Sequence, residues 1–217
     1  MSEILLFNLL EEMEFSDKAR GLSDRTLKKN KKFLTHFFLF IKEKYHVEYL
    51  NEVNKNIIQA FMIYKKEQGN AETYINSYLR SIRAFFKYCE DEGYITQVAN
   101  PCLRVKWMKE EKIIKRTFTD EDIKKMLVYA DKKTHSKLKK YDSKRTGHLT
   151  RFINERNNFL IMLLADSGLR INEVHNLTDA TLTQQGIHVI RGKGKKGRFI
   201  FASPLILKEK MKYDRAK

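Results

Sequence analysis

The sequence predicts a mainly α-helical protein with one small β-hairpin, arranged as two units. Three observations carry that expectation. Only two prolines and nine glycines occur in 217 residues, so long stretches lack helix breakers. Apolar residues recur at three- and four-residue spacing through most of the chain. Beyond Leu182 the period shortens to two, the alternation of a half-buried strand.

The first helix draws on residues 3 to 14, where Ile4, Leu5, Leu6, Leu9, Leu10 and Met13 fall at helical intervals. Gly21 breaks the chain, and Ser23 is placed to cap a second helix from Asp24 to about Lys44. Leu27, Leu34, Phe37, Phe38 and Ile41 form its apolar side, while Lys28, Lys29, Lys31 and Lys32 crowd its first turns. A third helix, near Lys55 to Gln68, carries Ile57, Ile58, Phe61 and Met62 and stops at Gly69. Asn70 is positioned to cap a fourth, "AETYINSYLRSIRAFFKYCEDE", which ends at Gly93. Tyr74, Tyr78, Ile82, Phe85, Phe86 and Cys89 make its apolar stripe, and Arg80, Arg83 and Lys87 share another face. "NP" at 100 and 101 closes a four-helix unit.

A charged run without periodicity, from 104 to 117, reads as a linker. The expected organisation is a helical unit over residues 1–106, a linker over 107–117 and a second unit over 118–217. Thr119 and Asp122 are spaced as a capping box that restarts helix. Residues 131 to 150 are basic and polar and read as a loop or a frayed helix end. "FLIMLLA" at 159 to 165 is apolar all round, the mark of a buried central helix, and Gly168 ends it. "GIHVIRGKGKKGRFIFAS" holds two β-like runs around a glycine-lysine turn, and "LILKEKMKYDRAK" begins another helix.

Charge narrows the function. A net +16 and a pI near 9.7 repel the compact state and call for a polyanionic partner. Nucleic acid leads, an anionic membrane surface is the rival, and a merely lysine-rich surface is the plain alternative. Cys89 and Cys102 form no CxxC and the six histidines show no ligand spacing, which speaks against a metal or a disulfide. The start, "MSEILLFNLLEEMEF", is acidic where a signal peptide needs bases, and no stretch suits a membrane span. A cytoplasmic protein is expected, with no membrane partner.

Two positions are placed to do chemistry. Arg170 follows the Gly168 turn at the mouth of a helix, where N–H groups favour anions and a guanidinium adds a bidentate fork for phosphate. Glu173, one turn on, can hold that fork; an ordinary Arg–Glu surface pair has the same spacing. Lys193 sits at the hairpin tip between glycines that permit close backbone approach, suited to delivering a proton to a leaving oxygen. A solvated basic turn would look alike, and Lys195 and Lys196 are chemical substitutes.

In combination these segments resemble the tyrosine recombinases of the phage integrase and Xer type. "SGLRINEVHNL" is similar to the box around that family's first catalytic arginine, and "IHVIRGKGKKGR" to the hairpin whose GKG lysine is catalytic, 23 residues on. "RGLSDRTLKKNKKFLTHFFLF", "LRSIRAFFKYCEDEGYI" and "ANPCLRVK" resemble its helical core-binding domain, and "RTFTDEDIKKML" the entry to its catalytic domain. The resemblance implies a four-helix SAM-like core-binding domain followed by part of an α+β catalytic domain. It implies a DNA strand-exchange enzyme without metal or nucleotide cofactor, working through a 3′-phosphotyrosyl link. Arg170 and Lys193 would be catalytic, Arg170 on the scissile phosphate and Lys193 as general acid, with Glu173 in support. Lys28 and Lys32 on one helix, and Arg80, Arg83 and Lys87 on another, would face the major groove of double-stranded DNA.

The family's HxxR box and late tyrosine have no match after residue 201. Tyr213, the tyrosine found there, follows the hairpin too soon and reads as a helix-face residue. The chain therefore reads as the front two-thirds of a recombinase, expected to bind DNA but not to cut it. The alternative is a non-catalytic, truncated DNA-binding protein that occupies recombination sites. A basic helical module for RNA or an anionic surface is a third reading. Family members assemble as tetramers on DNA, and this chain is expected to be monomeric when free.

Overall fold

The computed structural model describes residues 4–111, 114, 116–134, 144–190 and 197–217. They form eight α-helices and one two-stranded antiparallel sheet, divided between two units, Met1–Ile114 and Lys115–Lys217. Among the described residues no helix is long and apolar enough to cross a membrane.

The first unit contains α1 (Leu6–Ala19), α2 (Asp24–Tyr45), α3 (Lys55–Glu67) and α4 (Glu72–Asp91). Gly21 turns the chain at φ 77°, and the Ser23 hydroxyl accepts the Thr26 N–H at 3.3 Å to start α2. α2 packs against α1, α3 and α4. Phe37, Phe38, Phe61, Phe85 and Phe86 are fully buried at their junction. Each contributes about 2–3 kcal/mol of burial, so the hydrophobic effect holds this unit together. Phe33 and Phe40 join that core, as do Ile75 and Leu79 on α4, while Tyr74 stays partly exposed against Phe33 and Tyr78.

Asn70 does not cap α4, whose N-cap is Ala71 without a side-chain bond. Its side chain instead donates to the Lys65 carbonyl at 2.9 Å and its backbone N–H to the same oxygen at 3.2 Å. Gly69, at φ 78°, turns it back onto the end of α3, where unpaired carbonyls need donors.

Part of the run expected to be loose is held on α4. The Asn76 side chain, one turn into that helix, donates to the Met108 carbonyl at 3.0 Å and accepts the Met108 N–H at 2.9 Å. It also donates to a Glu110 carboxylate oxygen at 2.7 Å. Cys102 and Val105 are buried in the same core. Residues 102–110 thus form a strap along the helix, because Asn76 can copy the paired donor and acceptor of a backbone unit.

The second unit contains α5 (Asp120–Thr134), α6 (Lys144–Ser167), α7 (Ile171–His175), β1 (Ile187–Val189), β2 (Arg198–Ile200) and α8 (Pro204–Ala216). Thr119 and Asp122 form the expected box: Thr119 N–H donates to the carboxylate at 3.1 Å, and Asp122 N–H to the hydroxyl at 3.2 Å. Ser203 caps α8, with Pro204 at its first position. Of the stretch expected to be a loop, residues 131–134 finish α5 and 144–150 open α6; residues 135–143 lie outside the described set. α6 packs against α5 and α8.

"FLIMLLA" is not buried on every side. Phe159 and Leu163 are buried, Leu160, Met162 and Leu164 only partly, and Ala165 is exposed. Positions four apart make one stripe facing Leu169, Val174, Ile187, Val189 and Ile206. Gly168, at φ 60°, ends the helix as expected.

Candidate phosphate site and nucleic-acid interface

Gly168 lets the chain reverse, which sets Arg170 at the N-cap of α7. One turn later Glu173 comes back beneath it. The Glu173 carboxylate, with its side chain only 4% exposed, accepts the Arg170 backbone N–H at 2.9 Å and the Arg170 guanidinium at 3.0 Å. The Arg170 side chain itself is 60% exposed, so most of its fork faces outward. With only five residues, α7 has little dipole, and any anion here is drawn by the guanidinium rather than the helix end.

A second arginine completes the cluster. Arg198, the first residue of β2, donates two hydrogen bonds to Glu173, at 2.8 and 2.7 Å. Its position explains the contact. In the hairpin register Val189 pairs with Arg198, His188 with Phe199 and Ile187 with Ile200. Val189 and Ile187 face the core, so Arg198 shares their face and points at α7. These donors pull the Glu173 carboxyl down to about 2, the Arg198 hydrogen bonds first and the Arg170 N–H next. Glu173 is ionised at any physiological pH, and the cluster keeps a net positive charge. A cleft of about 480 Å³ opens beside it, lined by Glu173, Asn176, Leu177, Thr181 and His188 among others.

Lys193, Lys195 and Lys196 lie outside the described residues. Tyr213 stacks on Phe159, with centroids 5.7 Å apart and planes at 14°, and packs on Phe152 at 5.5 Å.

In the first unit Lys28 and Lys32, four residues apart on α2, are both exposed. His36 follows one turn on, bonded to the Tyr78 hydroxyl at 2.9 Å; burial, then Lys65, then Lys32 lower its pKa. On α4 the three basic residues part ways. Arg80 is exposed. Lys87 is exposed but bridges Glu90 at 2.8 Å and Asp91 at 2.9 Å. Arg83 departs from the expected outward row: it is half-buried, its guanidinium donates to the Val105 carbonyl, and it stacks 4.4 Å from the Trp107 ring centre. Its Nε is buried without a hydrogen-bond partner. Spacing sets Arg83 between Arg80 and Lys87 on α4, but Val105 and Trp107 of the strap sit against Arg83 and draw it in.

The phage integrase SAM-like domain model matches residues 5–106. No curated protein matches the sequence. Among solved structures, the chain is similar to the Tn1549 transposon integrase in complex with a circular intermediate DNA. The identity is 16% and the TM-score 0.70, covering 100% of this chain and 66% of that one. It is similar at 16% identity to a lambda integrase dimer bound to a COC' core site, with a TM-score of 0.64 over 92% of this chain and 49% of the other. A lambda integrase tetramer bound to a Holliday junction gives 0.67 at 16%, over 99% and 54%. The chain thus spans between about half and two thirds of these integrases. The fold is that of these integrases.

Within that fold two residues carried no motif that the sequence singled out. Arg198 was visible as a charged residue two positions from Ile200, on the side of the strand that alternation assigns to the core. Asn76 offered no such signal, since a polar residue in a helix reads as solvated until its partner is known.

Proposed function

We propose that this chain binds duplex DNA and supplies the phosphate-gripping arginine of a site-specific tyrosine recombinase. The observation that carries the reading is Arg170: an exposed guanidinium anchored at its base by a buried, ionised carboxylate. Such a fork is built to meet an anion arriving from solvent. A non-bridging phosphate oxygen would be held by the free side of Arg170, which stabilises the charge that grows there in the transition state. Lys193 delivers a proton to the leaving oxygen, and Glu173 orients the arginine. Lys28, Lys32 and Arg80 contact the DNA backbone first; Lys87 joins them by exchanging its acids for phosphate, and Arg83 contributes only where the strap moves aside. The protein works in the cytoplasm, as a monomer until it meets DNA.

Duplex binding across a salt series tests this. Log affinity should fall about 0.9 per neutralised phosphate for each unit of log salt. Lys28→Ala and Lys32→Ala should each flatten that slope by about one contact on every sequence tried. Affinity that stays level between low and moderate salt would defeat the reading, and equal affinity for RNA would favour a general polyanion binder.

A further inference from the structure

We infer that Arg198 is a positioning residue that leaves Arg170 free to take a phosphate. The inference rests on the reading above that Arg170 binds one. A carboxylate buried as deeply as Glu173 cannot be left unpaired, because desolvation penalises its charge heavily. With Arg170 as its sole cation, each swing of that side chain toward DNA would strand the charge. Arg170 would then be locked at home by its own anchor.

Arg198 removes that conflict. Its two hydrogen bonds, 2.8 and 2.7 Å, reach both carboxylate oxygens, whereas the Arg170 side chain gives one bond of 3.0 Å. When the Arg170 fork turns outward, both oxygens keep a donor from Arg198. The Arg170 backbone N–H, 2.9 Å from the second oxygen, holds the residue's root in place meanwhile. The two arginines are not interchangeable. Arg198 is the less exposed, 37% against 60%, and its strand register aims it inward. A lysine at 198 would bring the charge without the planar fork that spans two oxygens.

The test uses the whole chain labelled with ¹⁵N-arginine, titrated with inorganic phosphate while the side-chain N–H signals of both arginines are followed. In the wild type the Arg170 signal should move with phosphate and the Arg198 signal should stay. In Arg198→Gln the phosphate needed to shift Arg170 should rise on the order of tenfold, the worth of one charge-assisted hydrogen bond. Arg198→Lys, which keeps the charge and serves if the glutamine variant does not fold, should fall between the two. Arg170 responding identically in the variants overturns the inference, as does an Arg198 signal that itself follows phosphate. A wild-type Arg170 signal that ignores phosphate overturns the parent reading instead, and this one with it.

Discussion

Arg198 closes a two-bonded fork on Glu173, joining the first residue of the second hairpin strand to the middle of a helix 25 residues earlier in the chain. That bond fixes where the hairpin leaves the core, and its acid sensitivity follows from the sign of the shift. Glu173 falls from the ordinary 4.5 to about 2 in the folded state, so the unfolded chain takes up the proton first. The stabilisation is present above pH 4.5 and is lost as pH drops toward 2. Glu173→Gln should be less stable at neutral pH by about 1–2 kcal/mol, a modest loss because both arginines are partly solvated. Its melting temperature should then change less than the wild type's between pH 5 and pH 2.5. Parallel pH profiles would show that Glu173 carries none of the acid response.

His36 should report on DNA. Burial, Lys65 and Lys32 hold its pKa below the ordinary 6.5, so the ring is neutral in the free protein at pH 7. Phosphates neutralising Lys32 would relieve part of that repulsion and raise the value. Binding should therefore take up protons and tighten as pH falls from about 7.5 to 6. An NMR titration of the His36 ring, with and without duplex, reads this directly; a ring unmoved by duplex would place the DNA elsewhere.

The strap can be watched through the chain's single tryptophan. Trp107 stacks on Arg83, and Asn76 holds the next residue by both backbone groups. Asn76→Ala should cost about 2 kcal/mol, speed hydrogen exchange at the Met108 amide and raise acrylamide quenching of the indole above that of its present 46% exposure. Unchanged quenching would mean that Arg83 alone keeps the strap down.

Tyr213 should behave as packing. Tyr213→Phe keeps the stacking on Phe159 and Phe152 and should leave stability and DNA affinity within error. A suicide duplex, nicked so that strand cleavage is irreversible, should leave no covalent adduct on this polypeptide; an adduct mapped to Tyr213 would reverse that role.

The elements readable in advance were those specified locally. The Ser23 cap, the Thr119–Asp122 box, the Gly168 stop and the apolar stripe of α2 each depend on residues within a few positions of one another. Arg170 and Glu173 were legible for the same reason, three residues apart. What escaped depended on distant partners. Arg83 has outward spacing, yet its surroundings are set by Val105 and Trp107 more than twenty residues away. The apolar block at 159–165 showed what could be buried, not how many neighbours would cover it. Arg198 belongs to a carboxylate that its own strand does not contain.

Asn76 also bears on where the molecule can be cut. The domain match stops at 106, a natural place to trim for a smaller piece. Trimming there would delete Met108 and Glu110, leaving an amide that is 4% exposed with its bonding capacity unfilled in the flank of α4. It would also strip the indole from Arg83. A fragment meant to stand alone has to run through Glu110.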